Sequence, residues 1–266
     1  METENRMKRD NIFWGTALII AGVLLYLQTQ GIISNVLTYL WPVALILVGG
    51  WLILNVYWPP ADSAIETFSV PLGSARSARV RFAHGAGQIE IRGGAPAGQA
   101  LVGPSAAGMD RQSRMEGEKL DVRVEAGPSF VPFLGPAQGV WRFRLTQAVP
   151  LSLVVESGAS TLDLDLRNVL ATSVELKTGA SSSNVTMPER GVSFLEVEAG
   201  VASVNIHVPE ATAARIRVKE GVNSVNVDTA RFPRLDSGLY QSSDFDTASN
   251  RTEIHVEAGL GSVSVK

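Results

Sequence analysis

Glycine recurs at a fixed interval of 21 residues in the middle of this 266-residue chain, and the same short pattern surrounds each copy. The four glycines are Gly158, Gly179, Gly200 and Gly221. Apolar residues stand five and three positions before each glycine and six positions after it, a hydroxyl residue three after it, and Asp or Asn five after it. Such a period with internal alternation is typical of a stacked repeat, in which each unit buries its apolar side against its neighbours.

Each repeat unit is predicted to be two short strands joined at the glycine. Residues 193–199 and 203–208 alternate apolar with polar residues, which indicates one buried and one exposed face. The glycine suits a corner that needs either a positive φ or a close backbone approach. We therefore predict that residues 65–266 form an all-β parallel solenoid with about 21 residues per rung. In the best-defined unit the residues expected to point inward are Leu195, Val197, Val204 and Ile206, and those expected outward are Glu198, Asn205 and His207.

Charges two positions before the glycines favour parallel, in-register stacking. They alternate in sign along the sequence as Glu156, Lys177, Glu198 and Lys219, and Glu257 of a further copy near the C-terminus continues the series opposite Lys219. In register, each charge would face an opposite charge in the next rung. The alternative is a chance alternation of surface charge, and pairs of this exposed kind contribute little to stability.

Three irregular stretches interrupt the repeats. Residues 93–118 are rich in Gly, Ala and Ser and are expected to loop out, whereas residues 127–139 and 228–251 are unusually apolar for loops. The apolar stretches have two interpretations: they cap the open ends of the solenoid, or they dock on a membrane surface or a partner protein. The candidate contact residues are Phe130, Phe133, Phe232, Tyr240 and Phe245.

The N-terminal part of the chain has the composition of a membrane segment. Residues 12–27 and 36–58 carry no charge, and aromatic residues lie near the ends of both runs. We predict an N-tail at 1–11, a two-helix transmembrane hairpin at 12–58 and a linker at 59–64. A cleaved signal peptide is the alternative, but no small-x-small cleavage pattern follows Leu27.

Basic residues predict the orientation of this hairpin. Arg6, Lys8 and Arg9 precede the first span, while the loop between the spans contains no Lys or Arg. The positive-inside rule then places the N-tail in the cytoplasm, and two spans return the chain to the same side. The solenoid is accordingly expected to be cytoplasmic, in a protein of the cell membrane.

The hairpin contains a further pattern: Phe13-Trp-Gly, then Ala21-Gly-Val-Leu, then Leu40-Trp-Pro-Val-Ala-Leu-Ile-Leu-Val-Gly-Gly-Trp51. This pattern resembles the membrane region of the LiaI/LiaF-like proteins of bacterial envelope stress. The glycine-punctuated repeat resembles the "toastrack" domain, also known under adhesin-type names. The resemblance implies a bacterial membrane protein that restrains or tunes a sensor kinase when the envelope is disturbed.

Several kinds of chemistry are not indicated by the sequence. The chain has no cysteine, its three histidines fall at different phases of the repeat, and no phosphate loop or metalloprotease motif is found. The Asp/Asn position five after each glycine is explained either as a ligand ladder or as stacked amides that bond along the stack. A net charge of −3 without a basic patch argues against nucleic acid. We expect no enzyme activity, no cofactor and no metal.

Two functions are consistent with these observations. The first is a membrane-anchored regulatory or scaffolding protein that contacts a sensor kinase or another envelope-stress protein, or a second copy of itself. The second is an exported adhesin-like module of surface assembly, for which the hairpin is only an anchor. The compartment of the solenoid separates the two.

Overall fold

The computed structural model describes residues 67–105, 109–126, 140–219 and 224–266. These lie in the second of two units into which the chain divides, residues 1–64 and 65–266. The N-tail, the predicted hairpin, the linker, Gly221, Phe130 and Phe133 lie outside the described residues. Across the described part of the chain, no helix has the length and apolarity that a membrane crossing requires.

Every regular element in these residues is a β-strand, as the alternating pattern predicts. The strands are β1 (Thr67–Pro71), β2 (Ser77–Gly93), β3 (Gln99–Pro104), β4 (Met109–Glu116), β5 (Lys119–Ala126), β6 (Val140–Leu145), β7 (Leu151–Asp165), β8 (Ala171–Thr186), β9 (Val192–His207), β10 (Ala213–Val218), β11 (Ser224–Val227), β12 (Arg234–Asp236), β13 (Leu239–Gln241) and β14 (Arg251–Val265).

Long strands that contain a repeat glycine form the rungs of a stack. β7, β8 and β9 pair in parallel and in register, so that Leu176 lies between Val155 and Val197. In β9 the buried residues before Gly200 lie three and five positions away, and those after it lie four and six positions away. In a flat strand these two sets would point to opposite faces. Both halves nevertheless contribute to one continuous core, so each rung folds over at its glycine and encloses the core between two walls.

The two walls extend beyond the rungs in different ways. The first wall, built from the first halves, runs β4-β5-β2-β7-β8-β9-β14-β10-β13-β12. The second wall runs β1-β3-β6-β2-β7-β8-β9-β14-β11. β5 and β6 together supply the rung on the far side of β2 from β7.

The repeat glycines are required by close backbone approach and not by a positive φ. A Cβ added to Gly179 would lie 2.6 Å from the carbonyl oxygen of Gly158, and one added to Gly200 would lie 2.8 Å from that of Gly179. Neither residue has a φ in the left-handed region. These glycines therefore stack directly on one another, and a Cβ at Gly158, Gly179, Gly200 or Gly259 would lie 2.9 Å or less from the backbone of the next rung.

The orientation predicted for the best-defined unit is confirmed. Leu195, Val197, Val204 and Ile206 are buried in the core, while Glu198, Asn205 and His207 are exposed.

The predicted order of the charged residues is wrong at one place. β14 lies between β9 and β10, so Glu257 neighbours Glu198 directly and Lys219 lies beyond Glu257. The order along the stack is Glu156, Lys177, Glu198, Glu257, Lys219. The outer edge of β10 is covered by β13, which comes from the insertion before β14. β14 consequently enters the stack on the inner side of β10, and two like charges become neighbours.

The expectation that residues 93–118 loop out is also wrong. β3 pairs with β6 and β1 in the second wall, and β4 pairs with β5 in the first. The stretch therefore extends both walls at this end of the stack.

Candidate binding groove

The insertion before β14 buries the aromatic residues proposed as contacts. Phe232 is 0% exposed and Phe245 is 6% exposed, while Tyr240 is partly buried against the core. The guanidinium of Arg231 lies 4.8 Å from the centre of the Phe232 ring and donates a hydrogen bond of 3.0 Å to the carbonyl oxygen of Thr212. Buried phenylalanines fastened in this way form a cap, so Phe232 and Phe245 do not present a contact surface.

A second arginine holds the other half of this cap. Arg215 lies 4.3 Å from the centre of the Phe245 ring and donates hydrogen bonds to Gln241 at 2.7 Å and Asp246 at 3.0 Å. Gln241 belongs to β13, which pairs with β10, the strand that contains Arg215. Of the two interpretations for residues 228–251, the structure favours the cap.

The corner of the stack instead carries an open groove of about 970 Å³. Its floor is the row of repeat glycines, which has no side chains to fill it. One side is the charged column, which we define as the charged groove residues two positions before a glycine: Glu125, Glu156, Lys177, Glu198 and Glu257. The uncharged Ala83 lies between Glu125 and Glu156 in this row. The groove forms because close stacking requires glycine at the corner, whereas the exposed position two residues before the glycine can carry a long side chain.

Most charges of the column are paired. Lys177 lies 2.8 Å from Glu175 and 3.7 Å from Glu198. Glu125 lies 3.5 Å from Arg123, and Glu257 pairs with Lys219. The hydrogen bond to Glu175, followed by the charges of Glu175 and Glu198, raises the pKa of Lys177. Glu156 has no ion pair within the residues that the structure describes.

An apolar ridge follows the row of glycines along the chain and is not part of the lining of the groove. We define it as the residues directly after the repeat glycines: Ala86, Ala159, Ala180, Val201 and Leu260. All five are exposed, with Val201 at 52% and Leu260 at 54%. Val201 and Leu260 are direct neighbours in adjacent rungs, so the ridge is continuous and most apolar beside Glu198 and Glu257.

A buried histidine lines one end of the groove. His84 is 4% exposed, its ring centre lies 4.2 Å from that of Trp141, and neither ring nitrogen has a hydrogen bond of ordinary geometry to a described residue. Burial lowers the pKa of His84, and the nearby backbone of Ala86 opposes this shift in part. The fold therefore favours the neutral form of the ring.

Other columns of the stack show no ligand chemistry. The side-chain amide of Asn205 donates to the Oδ1 of Asn184 at 3.1 Å, which is the stacked-amide arrangement. His255 lies 3.1 Å from Glu253 in another column. Over the described ranges, no cluster of His, Asp and Glu has the geometry of a metal site.

The sequence does not predict the groove, although it predicts the exposed charged residues along one side of it. A separate regularity is the apolar residue after the repeat glycine, which is Ala, Ala, Val, Val and Leu at positions 159, 180, 201, 222 and 260.

Comparisons with known proteins agree with this architecture. The family model described as the N-terminal domain of toast_rack, DUF2154, matches residues 60–207, and that of the LiaI-LiaF-like transmembrane region matches residues 12–53. The crystal structure of a "putative cell adhesion protein" from Clostridium sporogenes superposes with a TM-score of 0.68 at 17% identity, over 76% of this chain and 97% of that chain. Among curated proteins, no relative matches.

Proposed function

Because this chain belongs to the toast_rack N-terminal-domain family, with a LiaI-LiaF-like transmembrane region ahead of that domain, we propose that it is a membrane-anchored regulatory or scaffolding protein of bacterial envelope-stress signalling. It acts by contact with other proteins. The hairpin anchors the parallel solenoid and contacts partner membrane proteins, while the solenoid offers a long, repetitive surface. No catalytic step, cofactor, metal or nucleic acid enters this proposal.

The observation that carries the proposal is the presence of both regions in one chain. The LiaI-LiaF-like match covers residues 12–53 and the toast_rack match covers residues 60–207, so only six residues separate the two. In this proposal the first region is the membrane anchor, and the stack of repeated rungs is the surface for protein contact.

The proposal includes a topology and a class of partner. Two spans leave the N-tail and the solenoid in the cytoplasm, as the basic residues ahead of the first span predict. The partner is a membrane sensor kinase or another envelope-stress protein, and self-association is a second mode of contact.

Two measurements test this function. Reporter fusions after residue 10, within residues 28–35 and after residue 266 should place only the middle fusion outside the cell. Deletion of the gene should change the transcriptional response to a cell-wall-active antibiotic, and the full chain should restore it. An unchanged response in the deletion strain would overturn the regulatory role.

Adhesion or surface assembly is the second candidate function. The observation that favours it is the solved structure of the same fold, which is described as a "putative cell adhesion protein". At 17% identity that likeness concerns the fold alone. The fusion after residue 266 separates the candidates, because an adhesion module must lie outside the cell.

A further inference from the structure

We propose that the open edge of β11 docks an extended segment of a partner protein, which joins the second wall as one more strand and turns its apolar side chains toward the core. This inference rests on the proposed function, since it names the part of the stack that makes the protein contact and the conformation of the segment that it accepts.

The last rung of the stack is covered on one wall and open on the other. β10 and β11 both pair with β14 and form the two halves of this rung. β13 pairs with the other edge of β10, whereas β14 is the only partner of β11 among the described strands. An open strand edge presents unpaired N–H and C=O groups, and these are the groups to which an added strand bonds.

The open edge presents the backbone groups of Val225 and Val227. The amide of Asp228 donates to the carbonyl oxygen of Val265 in β14 at 3.0 Å. Because successive residues of a strand direct their backbone groups to opposite neighbours, Asn226 also bonds to β14. Val225 and Val227 consequently direct their N–H and C=O groups away from β14, and neither has a backbone partner on that side within the described residues.

The side chain of Val225 is also left without cover. Val225 is in register with Val263 of β14, which is in register with Val204 of β9. All three therefore occupy the inward position of their rungs. Val204 and Val263 are 1% exposed, whereas Val225 is 39% exposed. An apolar segment beside β11 would bury the side chain of Val225 as β11 and β9 bury that of Val263.

The composition of β11 distinguishes it from the other open edges of the described sheet. β1 contains Pro71 and a register shift, β12 has a register shift and two charges among its three residues, and β4 carries four charged residues. Proline, irregular pairing and charge keep edge strands from pairing with other chains. β11, with the sequence Ser-Val-Asn-Val, has none of these.

The step between the two walls favours a single extended segment over a folded second copy. The first wall continues beyond β10 by β13 and β12, while the second wall ends at β11. At about 4.8 Å per strand, the first wall extends about 10 Å further. One added strand would lie opposite β13, whose Tyr240 is partly buried against the core. A second copy that approached through its own β11 would bring its own β13 and β12 into the same space.

Binding of labelled synthetic peptides to the full chain in neutral detergent tests the proposal. The probe is Ser-Val-Asn-Ile-His-Val, which copies residues 203–208 and therefore has the alternation of a rung. Fluorescence anisotropy should show binding of this peptide and not of one in which Ser replaces Val and Ile. Equal binding of the two peptides would overturn the proposal.

Two N-methylated forms of the probe test whether the contact is a strand ladder. They carry methyl groups on alternate sets of backbone nitrogens, and only one set faces β11 in an added strand. One form should therefore bind like the unmodified probe, and the other should not bind. Equal affinities of the two forms would overturn strand addition.

Matched variants locate the contact on β11. V225P removes an N–H that β14 does not use, so the Tm should stay near that of the parent while the Kd of the probe rises about tenfold. N226P is the contrast, because it removes a bond to β14 and should lower the Tm. V225S should raise the Kd about three- to tenfold, whereas V192S, which changes a valine that is 56% exposed in β9, should not. Parental affinity of both Val225 variants would overturn the proposal.

Hydrogen exchange measures the edge itself. The bound probe should slow exchange in residues 224–227 and leave β4, another open edge, unchanged; no slowing in β11, or equal slowing in β4, would overturn the proposal. A dimer of the full chain that V225P dissociates would make a second copy the occupant and overturn docking of a single segment. If V225P restores the antibiotic response of the deletion strain as well as the parent does, the regulatory role stands and β11 is not its contact surface.

Discussion

Replacing Gly179 by Ala tests whether the stack depends on the close approach of its glycines. The new Cβ would lie 2.6 Å from the carbonyl oxygen of Gly158, against an ordinary contact of about 3.4–4 Å, and the obstructing atom belongs to the backbone of a paired rung. Separating the two rungs weakens the ladder on both sides of the corner. Overpacking of this kind costs about 1–3 kcal/mol, and the lower entropy of the unfolded Ala chain offsets about 0.4–1 kcal/mol of it.

The net expectation for Gly179→Ala is a loss of about 1–2 kcal/mol. For a folded unit of about 200 residues this lowers the Tm by about 2–8 °C. Thermal unfolding followed by circular dichroism measures it, and hydrogen exchange should show the loss of protection centred on β7 and β8.

The matched control is Gly85→Ala in the same row of glycines. An added Cβ there meets no described atom within 4 Å, and the φ of Gly85 is not in the left-handed region. This variant should melt at or slightly above the parent temperature. A Gly179→Ala protein that melts with or above the parent would refute the argument that contact with the neighbouring rung requires glycine.

Three further predictions concern the core, the cap and the buried histidine. Val197→Asp places an unpaired charge in the core and should cost about 3–5 kcal/mol or prevent folding, which urea titration measures; parental stability would mean that Val197 does not point inward. Phe232→Ala should cost about 3–5 kcal/mol, because Phe232 is fully buried, and thermal unfolding measures the fall in Tm; an unchanged Tm would mean that residues 228–251 are not a cap. The pKa of His84 is lowered in the fold, so the unfolded chain binds more protons below its own pKa of about 6.5; stability should be unaffected above this pH and fall as the pH drops below it. His84→Phe should remove that part of the acid sensitivity, and an identical pH profile of the free energy of unfolding would contradict the assignment.

The local structure of the rungs could be predicted because it depends on neighbours in the sequence. The alternation around Gly200 places Val197 and Val204 in the core, and the 21-residue period places equivalent residues side by side in β7, β8 and β9. The sequence is consistent with two reasons for the glycine, a positive φ and a close backbone approach, and only the distance between Gly179 and Gly158 shows that the close approach applies.

The sequence predicts the exposed charged residues along one side of the groove, because their exposure follows from alternation along a single strand. The groove itself depends on the stacking of Gly158, Gly179 and Gly200, which brings together residues that are 21 positions apart in the sequence.

The sequence by itself determined the period, the inward and outward residues of each rung, and the row of glycines at the corner, because these follow from alternation along a single strand. Only the tertiary structure decided the order of the rungs. Rungs with the same apolar spacing pair equally well with one another, so the repeat pattern does not determine whether Lys219 or Glu257 is the neighbour of Glu198. The insertion before β14 determines it. Its strand β13 pairs with the outer edge of β10, and β14 therefore pairs between β9 and β10.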